Sequence, residues 1–366
     1  MNFNKHIESL KVYEAGKPIE LVVREFGIDP KSVIKLASNE NPLGCAPAVS
    51  ERIREVALSA SLYPDDSYFE LKAALANLHG VESKNIIIGS GSDQIIEFVI
   101  HSKCNEKKGI LVAGTTFAMY EIYASHIDAP LFKTPSHHHD LAEFREMVKE
   151  NAANIGVVFL CVPNNPLGEC LGEREVLEFV EFVASVNSEI LVVIDGAYSE
   201  FAKFKDEKKA VTPASVVSFD NAIFLGTFSK AYGLGGMRVG YGVANPNITS
   251  SLHKVRAPFN ITTLSLAAAV YACKEQDFIT QTLKNNAEQM RIYEEFCRQN
   301  GLKFIDSYTN FITIFFEKDT NLICERLLKK GIILRNLKSY GLNAIRITVG
   351  RADQNERVLA ELAKEL

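Results

Sequence analysis

The sequence predicts an α/β fold in which a large unit, built on a mostly parallel sheet between helices, carries a smaller α+β unit. Three features point there. A chain of 366 residues exceeds what one simple core organises and fits two domains. From residue 85 to residue 243, short apolar runs rich in Ile and Val are separated by helical patterns. Such non-alternating runs belong to a sheet covered on both faces. After Pro258 the texture changes to long helix followed by shorter strand and helix candidates. The expected division is therefore residues 31–258 for the large domain, with residues 1–30 and 259–366 forming an N-terminal arm and the small domain.

Taken in order, the opening segment to about Pro30 mixes a short amphipathic stretch with Tyr13, Gly16 and Pro18. It leads to Leu36-Ala37-Ser38-Asn39-Glu40-Asn41-Pro42-Leu43-Gly44, a polar turn after a short apolar entry. Helical periodicity covers Ala48 to Ser59, stops before Tyr63-Pro64-Asp65-Asp66, and returns from Tyr68 to His79, where Gly80 closes it. Strands are expected at Asn85–Ile88, Ile110–Ala113, Ala129–Phe132, Ile155–Cys161, Ile190–Ile194, Ala222–Leu225 and Val239–Val243. Helical patterns such as Asp93 to Ser102 and Glu173 to Asn187 lie between them. Beyond Pro258, Thr262 to Gln299 reads as one long helix that a break could interrupt. Strand candidates follow at Lys303–Ile305, Phe311–Phe316, Ile332–Leu334 and Ala344–Val349, with helices at Asn321–Lys330 and Asp353–Leu366. Neither repeats nor a low-complexity linker separate the two parts.

Composition excludes several classes of function. An apolar share of 47% and a charged share of 23% are those of an ordinary globular protein. The formal net charge of -5, without basic runs, argues against nucleic acid as a partner. The polar N-terminus does not read as a signal peptide and no apolar run approaches membrane-spanning length, so a soluble, cytoplasmic protein is expected. Seven scattered cysteines without a C-x-x-C pair read as free thiols in a reducing compartment. The run His137-His138-His139 reads as a polar surface loop, since three adjacent histidines cannot all face one metal ion on regular backbone.

One stretch carries the chemistry: Thr227-Phe228-Ser229-Lys230-Ala231-Tyr232-Gly233-Leu234-Gly235-Gly236-Met237-Arg238-Val239-Gly240-Tyr241. It reads as a strand, a hydroxyl-rich turn with one lysine, and a glycine-rich return to a second strand. A lysine held in a partly dry pocket gives up its proton more readily and can bond to a carbonyl carbon. Lys230 is thus the candidate covalent anchor, and Ser229 with Arg238 suits a dianionic phosphate. A solvated lysine in a surface loop is the commoner meaning of a lone Ser-Lys pair, but the glycines and Arg238 argue against it.

This stretch resembles the lysine motif of fold-type I pyridoxal 5'-phosphate enzymes, class II aminotransferases in particular, and the likeness runs over nearly the whole chain. It implies a seven-stranded sheet in the large domain and pyridoxal 5'-phosphate as cofactor. Within that family the likeness is to the branch acting on histidinol phosphate. The implied reaction moves an amino group between histidinol phosphate and 2-oxoglutarate, in histidine biosynthesis, by a homodimer. Aminotransferases of aromatic amino acids and phospho-amino-acid decarboxylases share such motifs and stay open as alternatives.

The resemblance also assigns roles. Gly89-Ser90-Gly91-Ser92-Asp93-Gln94 follows a strand and opens a helix, so its N–H groups could face a phosphate; Gly91, Ser92 and Asp93 are implied there, Asp93 through its backbone or as a cap. Thr227, Ser229 and Arg238 complete that cup. Asp195 would partner the ring nitrogen and Tyr198 the ring hydroxyl. Asn165, in Pro163-Asn164-Asn165-Pro166-Leu167-Gly168, would donate to the same hydroxyl; many relatives have Thr where this chain has Leu167. Phe117 would stack on the ring. Tyr63 would reach the phosphate of the neighbouring subunit. Arg346, flanked by apolar residues in a strand, needs an anionic partner; substrate contact is implied for it, with Arg335 and Tyr13 around the same anion. Histidinol phosphate has no α-carboxylate, so these arginines would recognise its phosphate.

Overall fold

The computed structural model describes residues 5–10 and 19–366. The chain enters by a two-residue strand, β1 (Ile34–Lys35), and then builds β2 (Ile86–Gly89), β3 (Gly109–Val112), β4 (Leu131–Lys133), β5 (Ile155–Cys161), β6 (Leu191–Asp195), β7 (Ala222–Thr227) and β8 (Gly240–Ala244). Strands β2 to β8 form one seven-stranded sheet in the order β2-β8-β7-β6-β5-β3-β4. Strand β8 pairs antiparallel with both β2 and β7, while β7, β6, β5, β3 and β4 pair parallel. All but β8 therefore point the same way, and their C-terminal ends share one edge.

The reason for this architecture is visible in burial. Every residue of β5 and of β6 is buried, so neither face can meet water and each strand reads as a continuous apolar run. One face packs Val158, Leu160, Val192 and Ile194 against the helix Glu173–Val186 through Val176, Phe179, Val180 and Val183. The other packs Val157, Phe159, Val193 and Leu225 against Ile95, Ile96, Phe98 and Val99 of the helix Gly91–Lys103. Removing one such aliphatic side chain from water contributes about 1.5–3 kcal/mol. Edge strand β4 is short and half exposed, as an edge must be to avoid pairing with other chains.

The smaller unit is a three-stranded antiparallel sheet, with β9 (Phe311–Phe315), β11 (Arg335–Asn336) and β12 (Ala344–Thr348) in the order β11-β12-β9; β10 (Ile332–Ile333) pairs parallel with β1. Through that pairing Ile34 and Leu36 join the small core of Tyr293, Ile312, Ile345 and Ile347. Thus the segment just before the Ser38–Asn41 turn is anchored in the small unit. The turn itself reaches into the large one, where Asn41 Nδ2 donates to Ala231 O (2.9 Å).

Several expected boundaries shift. The long helix is two, Thr263–Ala272 and Gln276–Gln299, broken at Cys273–Glu275. The second buries Ile279, Met290, Tyr293 and Cys297 on one stripe. Lys303–Ile305 forms no strand and makes an isolated bridge, Phe304 to Ile314. Ile332–Leu334 ends at Ile333, and the chain re-pairs as β11. The His137–His139 run also differs from expectation: His137 and His138 are exposed, but His139 is buried. All seven cysteines are free thiols, and among the described residues no helix is long and apolar enough to cross a membrane.

Candidate active site

At the shared C-terminal edge of the sheet, where open α/β sheets bind ligands, lies a cavity of about 220 Å³. Lys230 lines it, three residues beyond β7. Its Nζ donates to Ser38 O (3.4 Å) and sits 5.8 Å from the centre of the Tyr198 ring. Burial brings the amine down to about 8, with the Arg346 guanidinium adding to the fall. An ammonium is costly there, so the neutral amine, which is the nucleophile and base, becomes accessible near neutral pH.

At one end of the cavity, β2 turns into the helix Gly91–Lys103. Gly91 has φ +74°, and a Cβ on it would stand 2.5 Å from Arg238 Nη2. A Cβ on Gly240, the first residue of β8, would stand 2.2 Å from Ser92 N. Only glycine permits that approach. Arg238, itself at φ +54°, donates from Nη1 to Gly235 O (3.1 Å) and Ser229 Oγ (3.4 Å), and from Nη2 to Asp93 Oδ2 (3.2 Å). Thr227 Oγ1 donates to Ser229 Oγ (3.1 Å) and accepts from Ser229 N (3.1 Å). The result is a helix N-terminus, two hydroxyls and a guanidinium around one small space, a set suited to a phosphate. Asp93 lies in it with its carboxylate on Arg238; burial raises its pKa and the guanidinium opposes that rise.

Asp195, the last residue of β6, is 2% exposed and lines the same cavity. Its Oδ2 accepts from Tyr120 Oη (2.6 Å) and its Oδ1 from Ala197 N (3.2 Å). Burial nevertheless raises its carboxyl to about 6, so a cation placed beside it would meet a poorly solvated and strongly attracting carboxylate. Tyr198 is buried, and its hydroxyl accepts from Asn39 Nδ2 (2.8 Å). Phe117 lines the cavity wall and meets Tyr120 edge-on at 5.6 Å.

A second cavity of about 200 Å³ adjoins the first, sharing Ser38, Phe117, Asn165, Tyr198 and Lys230 and adding Arg335, Tyr340 and Arg346. Arg335 and Arg346 are directly paired across β11 and β12. Arg346 is 8% exposed and donates from Nη1 to Asn165 Oδ1 (2.5 Å) and from Nη2 to Ala37 O (2.7 Å), with its guanidinium 5.2 Å from the Phe311 ring centre. Since Oδ1 of Asn165 is engaged, its Nδ2 hydrogens are what the side chain has left to offer. Leu167 is buried with Leu337, Leu342 and Ala344, which accounts for an apolar residue in that turn.

Most of the residues singled out in the sequence therefore line these two adjoining cavities. Tyr63 does not: it is 79% exposed and stacks on Phe259 at 4.6 Å. Tyr13 lies outside the described residues. Sequence reasoning missed Tyr120 and Asn39, although Tyr120 sits three residues after Phe117 and Asn39 lies inside the Asn-Pro turn. Neither spacing signals a hydrogen bond to a distant strand end.

The donor set fits pyridoxal 5'-phosphate. The glycine cradle at Gly91 and Gly240, with Ser92, Ser229 and Arg238, could hold the phosphate; Asp195 could hold the ring nitrogen, Asn165 and Tyr198 the ring hydroxyl, Phe117 the ring face and Lys230 the aldehyde carbon.

Comparison with known proteins agrees. The chain is 63% identical to the histidinol-phosphate aminotransferase of Campylobacter fetus and 60% to that of Campylobacter concisus, each match covering 100% of both chains. Among solved structures, the histidinol-phosphate aminotransferase of Sinorhizobium meliloti in complex with pyridoxal-5'-phosphate superposes with a TM-score of 0.87 at 26% identity, over 99% of this chain and 96% of that one. Residues 31–363 match the family of class I and II aminotransferases, and the chain belongs to that family.

Proposed function

We propose that the protein transfers the amino group of L-histidinol phosphate to 2-oxoglutarate in histidine biosynthesis, with pyridoxal 5'-phosphate held by the residues above. The observation that carries the choice of substrate is the Arg335–Arg346 pair opening on the cavity that also holds Lys230. An amine without an α-carboxylate leaves these cations for its phosphate, and a second anion, the distal carboxylate of glutamate, can use them in the return half-reaction. The full-length likeness to proteins of that name supports the same reading.

When bound, the cofactor supplies an electron sink that acidifies the hydrogen on the amine-bearing carbon. The chain's own residues do the rest. Arg346 and Arg335 fix the substrate's anionic end. Lys230 Nζ, whose neutral form burial brings within reach near neutral pH, accepts the proton from the amine-bearing carbon and returns it. Asp195 holds a proton at the ring nitrogen, and its bond from Tyr120 keeps the carboxylate ionised against the effect of burial. Asn165 and Tyr198 bind the ring hydroxyl, and Phe117 keeps the ring face dry.

Residues 31–258 would form the cofactor-holding unit, with residues 1–30 and 259–366 as arm and small domain, except that Ile34 and Leu36 pack with the small domain through the β1–β10 pairing. A homodimer is the reading that the exposed apolar side chains of Leu58, Leu62, Tyr63, Phe69 and Phe259 support; Tyr63 of one protomer would reach the phosphate cup of the other. The free thiols fit a cytoplasmic site. Lys230→Ala tests the assignment: steady-state transamination must vanish, and its retention would refute the role of Lys230.

A further inference from the structure

The buried histidine of the three-histidine run is tied to the site by a hydrogen-bond network that none of the roles above uses. His139 Nε2 accepts the N–H of Cys161 (3.2 Å), the last residue of β5. The ring hydrogen is therefore on Nδ1, 3.5 Å from Glu169 Oε1. That same oxygen accepts from His139 N (3.3 Å) and from Asn164 Nδ2 (2.7 Å). Asn164 is fully buried, and also donates from Nδ2 to Thr115 O (3.0 Å) and accepts at Oδ1 from Thr116 Oγ1 (3.0 Å). The neighbouring His137 accepts at its backbone oxygen from Thr115 N (3.2 Å), and its Nδ1 lies 2.8 Å from Thr115 Oγ1.

Two loops thus share one support. The loop after β3 delivers Phe117, and the loop after β5 delivers Asn165. Both rest on Asn164, and Asn164 rests on Glu169. The other carboxylate oxygen, Oε2, is buried without a partner among the described residues. Chain folding alone gives no reason to keep a half-satisfied carboxylate there, whereas a single ionised oxygen accepting several N–H groups holds them in a tighter geometry than a neutral acceptor does.

We propose that Glu169 and His139 are positioning residues for the transfer reaction: acting through Asn164, they set where Asn165 meets the ring hydroxyl and where Phe117 meets the ring face. This rests on the reading of the Lys230 cavity as the transfer site. Loss of the support lets Asn165 drift, and a displacement on the order of 1 Å at a positioning group can cost up to about 100-fold in rate.

The test uses holoenzyme of Glu169→Ala and Glu169→Gln, with rate expressed per bound cofactor, and reads the pH midpoint of the cofactor's visible absorbance as well as kcat and KM. Glu169→Ala is expected to lower kcat about tenfold with KM within about threefold, in the range a positioning loss gives. The absorbance midpoint should move to higher pH, because Asn165 no longer stabilises the ionised ring hydroxyl. Glu169→Gln, which keeps an acceptor oxygen but loses the charge, should recover both only in part. Ile347→Val in the small core serves as a control for mere destabilisation and should move neither. Should Glu169→Ala not accumulate as holoenzyme, His139→Ala carries the same expectation. An unmoved midpoint together with an unchanged rate per bound cofactor would overturn the proposal. The midpoint is read without substrate, so failure on histidinol phosphate alone would count against the substrate assignment and leave the support intact.

Discussion

Arg346 is the residue on which geometry, electrostatics and specificity meet, and replacing it by methionine separates them. Its guanidinium makes two short bonds, to Asn165 Oδ1 and Ala37 O, and the account gives it the substrate's anion as well. A hydrogen bond to a charged group contributes about 1.5–3 kcal/mol, so losing the anion contact should reduce kcat/KM by about 10- to 150-fold. A second effect comes from charge. Arg346 is the next cause after burial that depresses the Lys230 amine to about 8. A neighbouring cation disfavours the ammonium, so removing it raises the Lys230 pKa. The acid limb of kcat should then shift to higher pH, and the deficit in Arg346→Met should be larger at pH 7 than at pH 9. Arg346→Lys keeps the charge and loses the planar fork. It should hold the limb near its original position while still losing kcat/KM. Profiles of kcat and kcat/KM for the three proteins decide the matter. A limb that does not move in Arg346→Met, or a kcat/KM within threefold of the parent, would refute the reasoning.

Further outcomes follow from the same geometry. Tyr120→Phe removes one donor to Asp195; kcat should fall about 5- to 10-fold, the worth of about one hydrogen bond, with KM for histidinol phosphate little changed, and a KM effect without a kcat effect would contradict it. Gly240→Ala places a methyl 2.2 Å from Ser92 N; overpacking costs about 1–3 kcal/mol, and equilibrium titration should show cofactor binding weakened by about 5- to 150-fold. Tyr63→Ala and Lys230→Ala protomers, each impaired alone, should regain activity when mixed and allowed to exchange, since one site of each mixed dimer would have both native residues. No recovery in a demonstrably mixed dimer would place Tyr63 in the service of its own chain.

Much of this was legible in the sequence because burial leaves a strong signature. Strands β5 and β6 are covered on both faces and read as unbroken apolar runs. Lys230 was legible for a different reason: a hydroxyl-rich turn and a glycine-rich return constrain backbone more tightly than a surface loop requires. What could not be read is contact between distant segments. The bond from Tyr120 to Asp195 spans 75 residues, and that from Asn39 to Tyr198 spans 159. A break in the long helix was allowed for, but its place at Cys273–Glu275 escaped periodicity because neither flank carries Gly or Pro. Lys303–Ile305 looked like a strand by composition and does lie along the open edge of β9, but its contact is limited to a bridge at Phe304 and two backbone bonds, Ile305 N to Thr313 O (3.1 Å) and Phe315 N to Lys303 O (2.8 Å). His139 shows the limit most clearly. Three identical residues in a row carry no periodicity, so nothing local indicates which one is turned inward.

The central claim is that histidinol phosphate gives its amino group to this site. Pyridoxal-phosphate-loaded protein mixed with histidinol phosphate, without any keto acid, tests it in one absorbance trace. The account predicts conversion of the cofactor from its aldehyde to its amine form, with one equivalent of keto product per site. An unchanged spectrum, under conditions where phenylalanine or a phospho-amino acid does react, would contradict it.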